Sequence, residues 1–588
     1  MGRVNPTATL SGLCAVSAVL HTIFVHFVHG PLVFMDELGY ERMAQSFAHT
    51  GHFSLFGKGG LAYSPVYPIV LSPIYALTSS MHTAYEWAKV ENAVLISLSV
   101  FPIYGIARFV LPRDRSLGVA ALSLLAPLML YSGFEMSESL AYPLCLVAIW
   151  TMLRTVRRPS FASDALLLGA IVLASAARLQ LVVLGPAALT AVLVMGLAQG
   201  RIPGVRKAVS EHVLLFGVAV AAIVGALARA SMNGGNLPLA GRYSNVGTAH
   251  AGAWRVVELF FEHLAELDFA VGVIPFAAAL LAGFALVRFG FPNRALVFAS
   301  VAVGCTFWLL IEVALDAAAF DATSSHPEGR TAFTDLPRIH ERYLIYLVPL
   351  FLVALFSTLG LCRSTLPRLP YLLAAAVVAA LLPTLIRFGT VINGTSAIDS
   401  FALQLFGTTK RGQTVPVAHA TGSILVVSVI LAVVFVLAAF RNLPPKSAVL
   451  ITALALLGLS TLEVGKQVTP VGRTELGLPA HHDWVDRRVG NGQSVSLVGG
   501  DGVRIAALRE TAFWNASVTR VYYTCSLAFG ADFGETQVPP AGIRARYAVV
   551  PVAFQVSGRV LARDSNGRLA LVAPAKGVLR LAGSGCGG

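Results

Sequence analysis

The chain has 588 residues, of which 56% are hydrophobic and only 12% charged, with a formal charge of +13. Soluble proteins carry about twice that share of charged residues, and apolar stretches near 20 residues recur along the sequence, which excludes a string of ordinary water-soluble domains and predicts a polytopic membrane protein. The positive charge is mostly Arg, spread over short loops between apolar segments, so it reads as a topology signal facing anionic lipid head groups and not as a nucleic-acid patch.

Length and hydropathy predict about thirteen membrane helices. They cover 8–28, 92–110, 116–133, 139–153, 164–177, 180–198, 212–230, 268–287, 295–315, 343–361, 371–387, 422–440 and 447–464. No small-residue cleavage site follows the first, which is read as a retained helix. Arg3, Arg113 and Arg115, Arg154 to Arg158, Arg201 to Lys207, Arg288 and Arg294, Arg363 and Arg368, and Arg441 and Lys446 all fall on one side of this pattern. The positive-inside rule makes that side cytoplasmic in the plasma membrane. An odd number of spans then puts the N-terminus inside and the C-terminal tail outside.

The first outer loop, 29–91, holds Asp36 and Glu37 side by side, just after an apolar stretch. Ionisable groups at a membrane boundary are expensive and mark functional sites. Position alone also fits a solvated loop, and both readings stay open. A helix from Glu37 to Phe47 lying along the membrane surface would use Leu38, Met43 and Phe47 as its apolar contacts. The run Tyr63-Ser64-Pro65-Val66-Tyr67-Pro68 follows. A second outer loop, 231–267, begins with a turn-rich run at Asn233 to Pro238 and ends in an amphipathic stretch from Trp254 to Leu267.

The composition changes near residue 465. A transmembrane domain over 1–464 and an extracytoplasmic domain over 465–588 are expected. In the latter, 495–498, 518–523, 547–550, 559–562 and 569–572 read as strands, with Asn566-Gly567 as a hairpin turn. The fold class is thus an α-helical polytopic membrane protein with a small β-rich or α/β C-terminal domain. Six cysteines are scattered without metal-like spacing. Whether Cys525 and Cys586 pair is left open.

Four polar features converge on the outer face: Asp36-Glu37; Glu135 and Glu138 in a short turn before the fourth helix; Arg178; and His340-Glu341-Arg342-Tyr343. Glu135 and Glu138, three apart, can share a helical face or simply cap the helix start. Both arginines run against the positive-inside trend. Each either forks onto a phosphate or snorkels to the interface. Lys410 and Arg411 add outer positive charge on a loop. Carboxylates beside guanidiniums at a membrane boundary suit a reaction on a lipid phosphate. One acid removes a proton from an acceptor hydroxyl, and arginine stabilises the departing phosphate. No cofactor is required. A divalent cation bridging Asp36 and Glu138 remains an option, since hard cations favour carboxylates.

These residues and their order resemble the GT-C glycosyltransferases, in the branch of protein O-mannosyltransferases and lipid A aminoarabinose transferases. The resemblance rests on Asp36-Glu37 with Tyr40, the Tyr63–Pro68 run, Ser137-Glu138, Ala177-Arg178 and Glu341-Arg342-Tyr343, and covers roughly 8–360. It implies an extracytoplasmic site and a polyprenyl-phosphate-linked sugar donor, with a glycan, lipid or protein acceptor. Asp36 would be the base, Glu37 its helper, Glu138 a second acid of the cavity, and Arg178 and Arg342 the phosphate holders. Tyr40, Tyr63, Glu135, Glu341 and Tyr343 would line the cavity. Two departures stand out. Leu38 and Gly39 occupy positions where many relatives are basic, and Tyr63-Ser64-Pro65-Val66 replaces a Lys-Pro-Pro run. The tail resembles external domains of actinobacterial members through Asp483-Trp484-Val485-Asp486 and Phe513 to Val518, which implies a cell-wall setting. A transporter of lipid-linked sugars is the alternative; it would place its acids nearer the bilayer midplane, in related halves.

Overall fold

Long runs of Leu, Val and Ala fold as helices because a helix satisfies every backbone polar group within its own segment, as lipid demands. The computed structural model describes residues 5–28, 30–31, 34–232, 252–289, 293–324, 339–361, 369–392, 399–410, 413–440, 445–463, 482–490, 492–500, 505–524, 529 and 533–582. In chain order the first helices are α1 (Pro6–Val25), α2 (Phe34–Thr50), α3 (Val66–Leu77), α4 (Met81–Ser97), α5 (Val100–Val110) and α6 (Arg113–Ser123). Then come α7 (Glu138–Arg157), α8 (Phe161–Ala177), α9 (Leu184–Glu211), α10 (Val213–Met232), α11 (Ala253–Val271), α12 (Val273–Phe289) and α13 (Asn293–Ser324). The membrane part closes with α14 (Val348–Leu361), α15 (Leu369–Leu381), α16 (Ala420–Phe440) and α17 (Pro445–Glu463).

Among the described residues, seven helical runs are long and apolar enough to cross a membrane: α1, α4 with α5, α7, α9, α10, α13 and α16. Helices α11 and α12, bent by 111° at their junction, would together make an eighth. The segments expected as the third, fifth, tenth and eleventh spans are helical but short, at 11, 17, 14 and 13 residues. The stretch expected as the third span leaves α6 for a 3-10 turn at Pro127–Gly133, which delivers the chain to the site. Helix α3 was not foreseen. Pro68 lies in its first turn, where a missing N–H leaves no bond unmade.

Helix α7 is the centre of the bundle: 78% of its span is buried, against 17% for α1 and 6% for α10, whose apolar faces point outward as lipid-facing helices do. Helix α13 packs so closely on α9 that a Cβ at Gly304 would stand 2.6 Å from the carbonyl oxygen of Ala187. The cysteines at 145 and 305 are buried in this packing as free thiols. Cys362, Cys525 and Cys586, the turn-rich run 233–238 and Arg411 lie outside the described residues. Lys410 ends the first strand of a small hairpin, Gly407–Lys410 with Gln413–Pro416.

The C-terminal region is built on a mixed six-stranded sheet, in which the outer strand pair Gly558–Arg563 and Leu569–Pro574 is joined through the expected Asn566-Gly567 turn. Gly567 supplies the positive φ of +65° that the turn requires. The central strand Val495–Gly499 is buried along its whole length and runs parallel to Val518–Tyr523 and Tyr547–Pro551. Helix α18 (Ile505–Trp514) makes the crossover between the first two of these. One apolar core runs unbroken from the membrane helices to Val495, Leu497, Phe513 and Trp514 of this region.

Glu510 of α18 lines a cavity of about 20 Å3 with His482, Trp484, Trp514 and Asp564. Burial, helped by Asp564, pushes its carboxyl up to about 8 from an ordinary 4.5. The folded form therefore holds this proton more tightly than the unfolded chain, and stability present below about pH 4.5 is lost as pH rises toward 8. Glu510→Gln is expected to flatten that decline and to raise the unfolding temperature at pH 8–9, read by thermal melts across pH. An unchanged pH profile would show that Glu510 titrates as an ordinary acid.

Candidate active site

Asp36 and Glu37 stand in the first turn of α2, where the helix dipole favours acids. Successive helical side chains point about 100° apart, so the two neighbours serve different surroundings. Asp36 Oδ2 accepts from Arg342 Nη1 at 3.1 Å and Oδ1 accepts from the Tyr63 hydroxyl at 3.2 Å. Its side chain keeps 14% of its surface open, the most open of the carboxylates around the two site arginines. Glu37 is fully buried and accepts from the Tyr85 hydroxyl at 2.8 Å and the Glu135 amide at 2.9 Å. Glu135 in turn accepts the Tyr75 hydroxyl on both oxygens, at 2.8 and 2.9 Å. Glu37 and Glu135 thus form a buried network behind α2.

The glycine at 39, one of the departures from the family pattern, has a local reason. A Cβ there would stand 2.2 Å from the Tyr63 ring, so only glycine lets that ring lie against α2 and reach Asp36. Tyr40 turns the other way. Its hydroxyl donates to Ser137 Oγ at 2.9 Å, packing edge-on to Tyr67 on its path.

Arg178 is the C-cap residue of α8, where a cation suits the helix dipole. Its Nη1 donates to the same Ser137 Oγ at 3.1 Å and pairs with Glu138 Oε1 at 2.9 Å, while Nε donates to Gln180 Oε1 at 2.5 Å. Arg342 enters from the short 3-10 segment Glu341–Tyr343. It pairs with Asp36, with Asp399 through Nε at 3.0 Å, and with Glu138 at 3.7 Å. Both guanidiniums lie over Tyr343, 4.7 Å (Arg178) and 5.0 Å (Arg342) from the ring centroid, a contact worth about 0.5–2 kcal/mol each. Tyr343 is itself buried. Arg342 Nη2 donates to its hydroxyl at 3.3 Å.

Asp36, Tyr40, Tyr63, Glu138, Arg178, Arg342 and Tyr343 therefore meet in one cluster. Glu341 does not face it. It accepts from the Ala402 amide at 2.9 Å and from Ser400 Oγ at 3.0 Å, and Ser400 also reaches Glu266. This holds the 399–402 segment so that Asp399 meets Arg342. Glu135 and Glu138 do not share a helical face, one of the two readings that their spacing allowed. Helix α7 begins at Glu138, and the extended backbone at Phe134 turns Glu135 away before it starts. Ser137 and Asp399 were missed as site residues. Ser137 lay within the Ser-Glu pair read before α7, whereas nothing between the eleventh and twelfth expected spans marked Asp399. Asp36 and Glu138 both face Arg342 Nη1, so a guanidinium stands where a bridging cation was considered. Among the described residues no group of three or more His, Cys, Asp or Glu is arranged to hold a metal.

A mostly helical membrane bundle with a β-rich C-terminal region is a fold that this chain shares with solved membrane proteins. The likeness that carries this is to ArnT from Cupriavidus metallidurans bound to undecaprenyl phosphate, at 15% identity and TM-score 0.50, over 96% of this chain and 98% of that one. Two others align less well: the Archaeoglobus fulgidus oligosaccharyltransferase in its apo form (10% identity, 93% of this chain, 69% of that chain, TM-score 0.48) and the Mycobacterium smegmatis arabinosyltransferase EmbB (13%, 82%, 42%, 0.41). No protein-family model and no curated protein matches the sequence.

Proposed function

We propose that this protein transfers a sugar from a polyprenyl-phosphate-linked donor to an acceptor hydroxyl on a glycan, lipid or protein of the cell envelope. The observation that carries this reading is the pair of buried guanidiniums stacked on Tyr343, beside one partly open carboxylate, Asp36. In this reading Asp36 takes the acceptor's proton as its oxygen bonds to the anomeric carbon. The bond from that carbon to the phosphate oxygen breaks, and its electron pair leaves on the polyprenyl phosphate. Arg178 and Arg342 offset the charge that develops there. Glu138 holds the two guanidiniums together, and Glu37 fixes the start of α2. The undecaprenyl phosphate bound by the similarly folded ArnT supports a lipid phosphate as the leaving group. The basic loops support a cytoplasmic N-terminus and an extracytoplasmic 465–588 domain, which puts Asp36 on the outer side. The sugar is a mannosyl- or arabinosyl-type residue on the family resemblance.

The test is direct. Purified protein in lipid should release polyprenyl phosphate from a radiolabelled polyprenyl-phosphate sugar when a membrane or wall extract supplies acceptor. Movement of intact lipid-linked sugar across a sealed vesicle, with no release of lipid phosphate, would instead establish the transporter reading.

A further inference from the structure

Helix α2 carries Asp36 at its start and Arg42 at its middle, and the Arg42 side chain reaches across to the C-terminal region. Its Nη2 donates to the carbonyls of Ala512 and Asn515, the second at 2.9 Å, and its Nη1 reaches the Ala516 carbonyl at 3.5 Å. Ala512 lies in the last turn of α18 and Asn515 and Ala516 just past it, at a helix end where a cation is favoured. The guanidinium is buried over the Phe56 ring and is steadied by Gln45 Oε1 at 2.8 Å.

The receiving end is rigid. The Asn515 side chain accepts from the Val485 and Asp486 amides, both at 3.0 Å, and donates to the carbonyls of His482 and Thr511 at 3.0 and 2.9 Å. An amide that makes four hydrogen bonds has no freedom to turn. The Asp486 carboxylate closes the knot by accepting from the Ala516 and Ser517 amides at 2.7 and 3.0 Å. Two further contacts join this region to the acids of α2. Tyr85, which donates to Glu37, packs edge-on against Phe513 and Trp514. Tyr63, which donates to Asp36, packs edge-on against Phe533.

We propose that Arg42 is a positioning residue that ties the acid-bearing helix to the C-terminal domain, so that this domain sets where Asp36 stands relative to Arg342. The inference rests on the glycosyltransferase reading of the site. A displacement of about 1 Å at a reacting group lowers rate by about a hundredfold, and Arg42 is a polar link that would resist it. The neighbouring Glu41, fully buried, has its Oε1 3.4 Å from Arg42 Nε. Loss of Arg42 takes that cation away and loosens the same helix.

The experiment uses the full chain in lipid nanodiscs, with a polyprenyl-phosphate sugar as donor, and compares Arg42→Ala with Arg42→Lys. Arg42→Ala should lower kcat by about ten- to a hundredfold while the donor KM stays within about twofold, because Arg178 and Arg342 are held from α8 and the 341–343 segment. Arg42→Lys keeps a cation at the helix end and should recover part of kcat. Hydrogen exchange should show α2 amides losing protection in Arg42→Ala while α7 keeps its own. An unchanged kcat with unchanged α2 protection overturns the proposal, and so does a loss of protection that extends through α7. If the unsubstituted protein transfers no sugar while α2 still loses protection in Arg42→Ala, the tether stands and the glycosyltransferase reading falls.

Discussion

Asp36→Asn should lower sugar transfer by about two to four powers of ten while leaving donor binding within a few-fold, the expected loss when a general base is removed. The substitution keeps the size of the side chain. The amide oxygen still accepts from Arg342 Nη1 or Tyr63, but the group no longer takes a proton from the acceptor. Glu37→Gln is the informative control. Glu37 is fully buried and accepts from Tyr85 and Glu135 through Oε1, so removing its charge acts on the start of α2 and costs about 1–3 kcal/mol of stability, with a smaller effect on turnover. Single-turnover transfer from a radiolabelled donor separates the two. Near-normal turnover in Asp36→Asn with abolished turnover in Glu37→Gln would reverse the assigned roles. Normal transfer in both would place the site elsewhere.

Arg342→Gln is the second large effect. Arg342 serves Asp36, Glu138 and Asp399 at once. Removing one partner of a buried pair costs about 3–5 kcal/mol, because the remaining charges stay buried. On the proposed reading, in which Arg342 holds the leaving phosphate, the same change also removes a donor from it in the transition state, for about a further hundred- to thousandfold in rate. The donor kcat/KM should therefore fall by at least two powers of ten, and the unfolding temperature should drop. Arg342→Lys should not restore activity, since a point charge does not span Asp36 and Asp399 as a planar fork does. Arg178→Gln should follow the same direction. Unchanged donor kinetics in both single variants and in the double variant would remove the arginines from phosphate recognition.

Parts of this site were legible because a single residue was out of place for its surroundings. Arg178 and Arg342 stood on the wrong side for the topology of the basic loops, and Asp36-Glu37 stood at the edge of an apolar stretch. Such signals are local, set by the cost of placing charge near lipid. Asp399 gave no signal, because it sits in an unremarkable loop and matters only through Arg342. The direction of Glu135 was left open for a related reason. Spacing of three implies a shared face only if the segment is already helical, and the chain is extended at Phe134.

The sequence by itself determined the membrane character, the places of most helices and the strands of the C-terminal region. Each follows from hydropathy, periodicity or turn chemistry within a window of some 20 residues. Only the tertiary structure decided which of the adjacent acids faces the arginines, that Asp36 and Arg342, 306 residues apart, meet at 3.1 Å, and that Gly39 makes room for Tyr63. It also decided that Arg42 looks away from the site into the C-terminal region. The reason is geometric. A helix turns by about 100° per residue, so the packing of distant segments, and not the order of residues, selects the partner of each side chain.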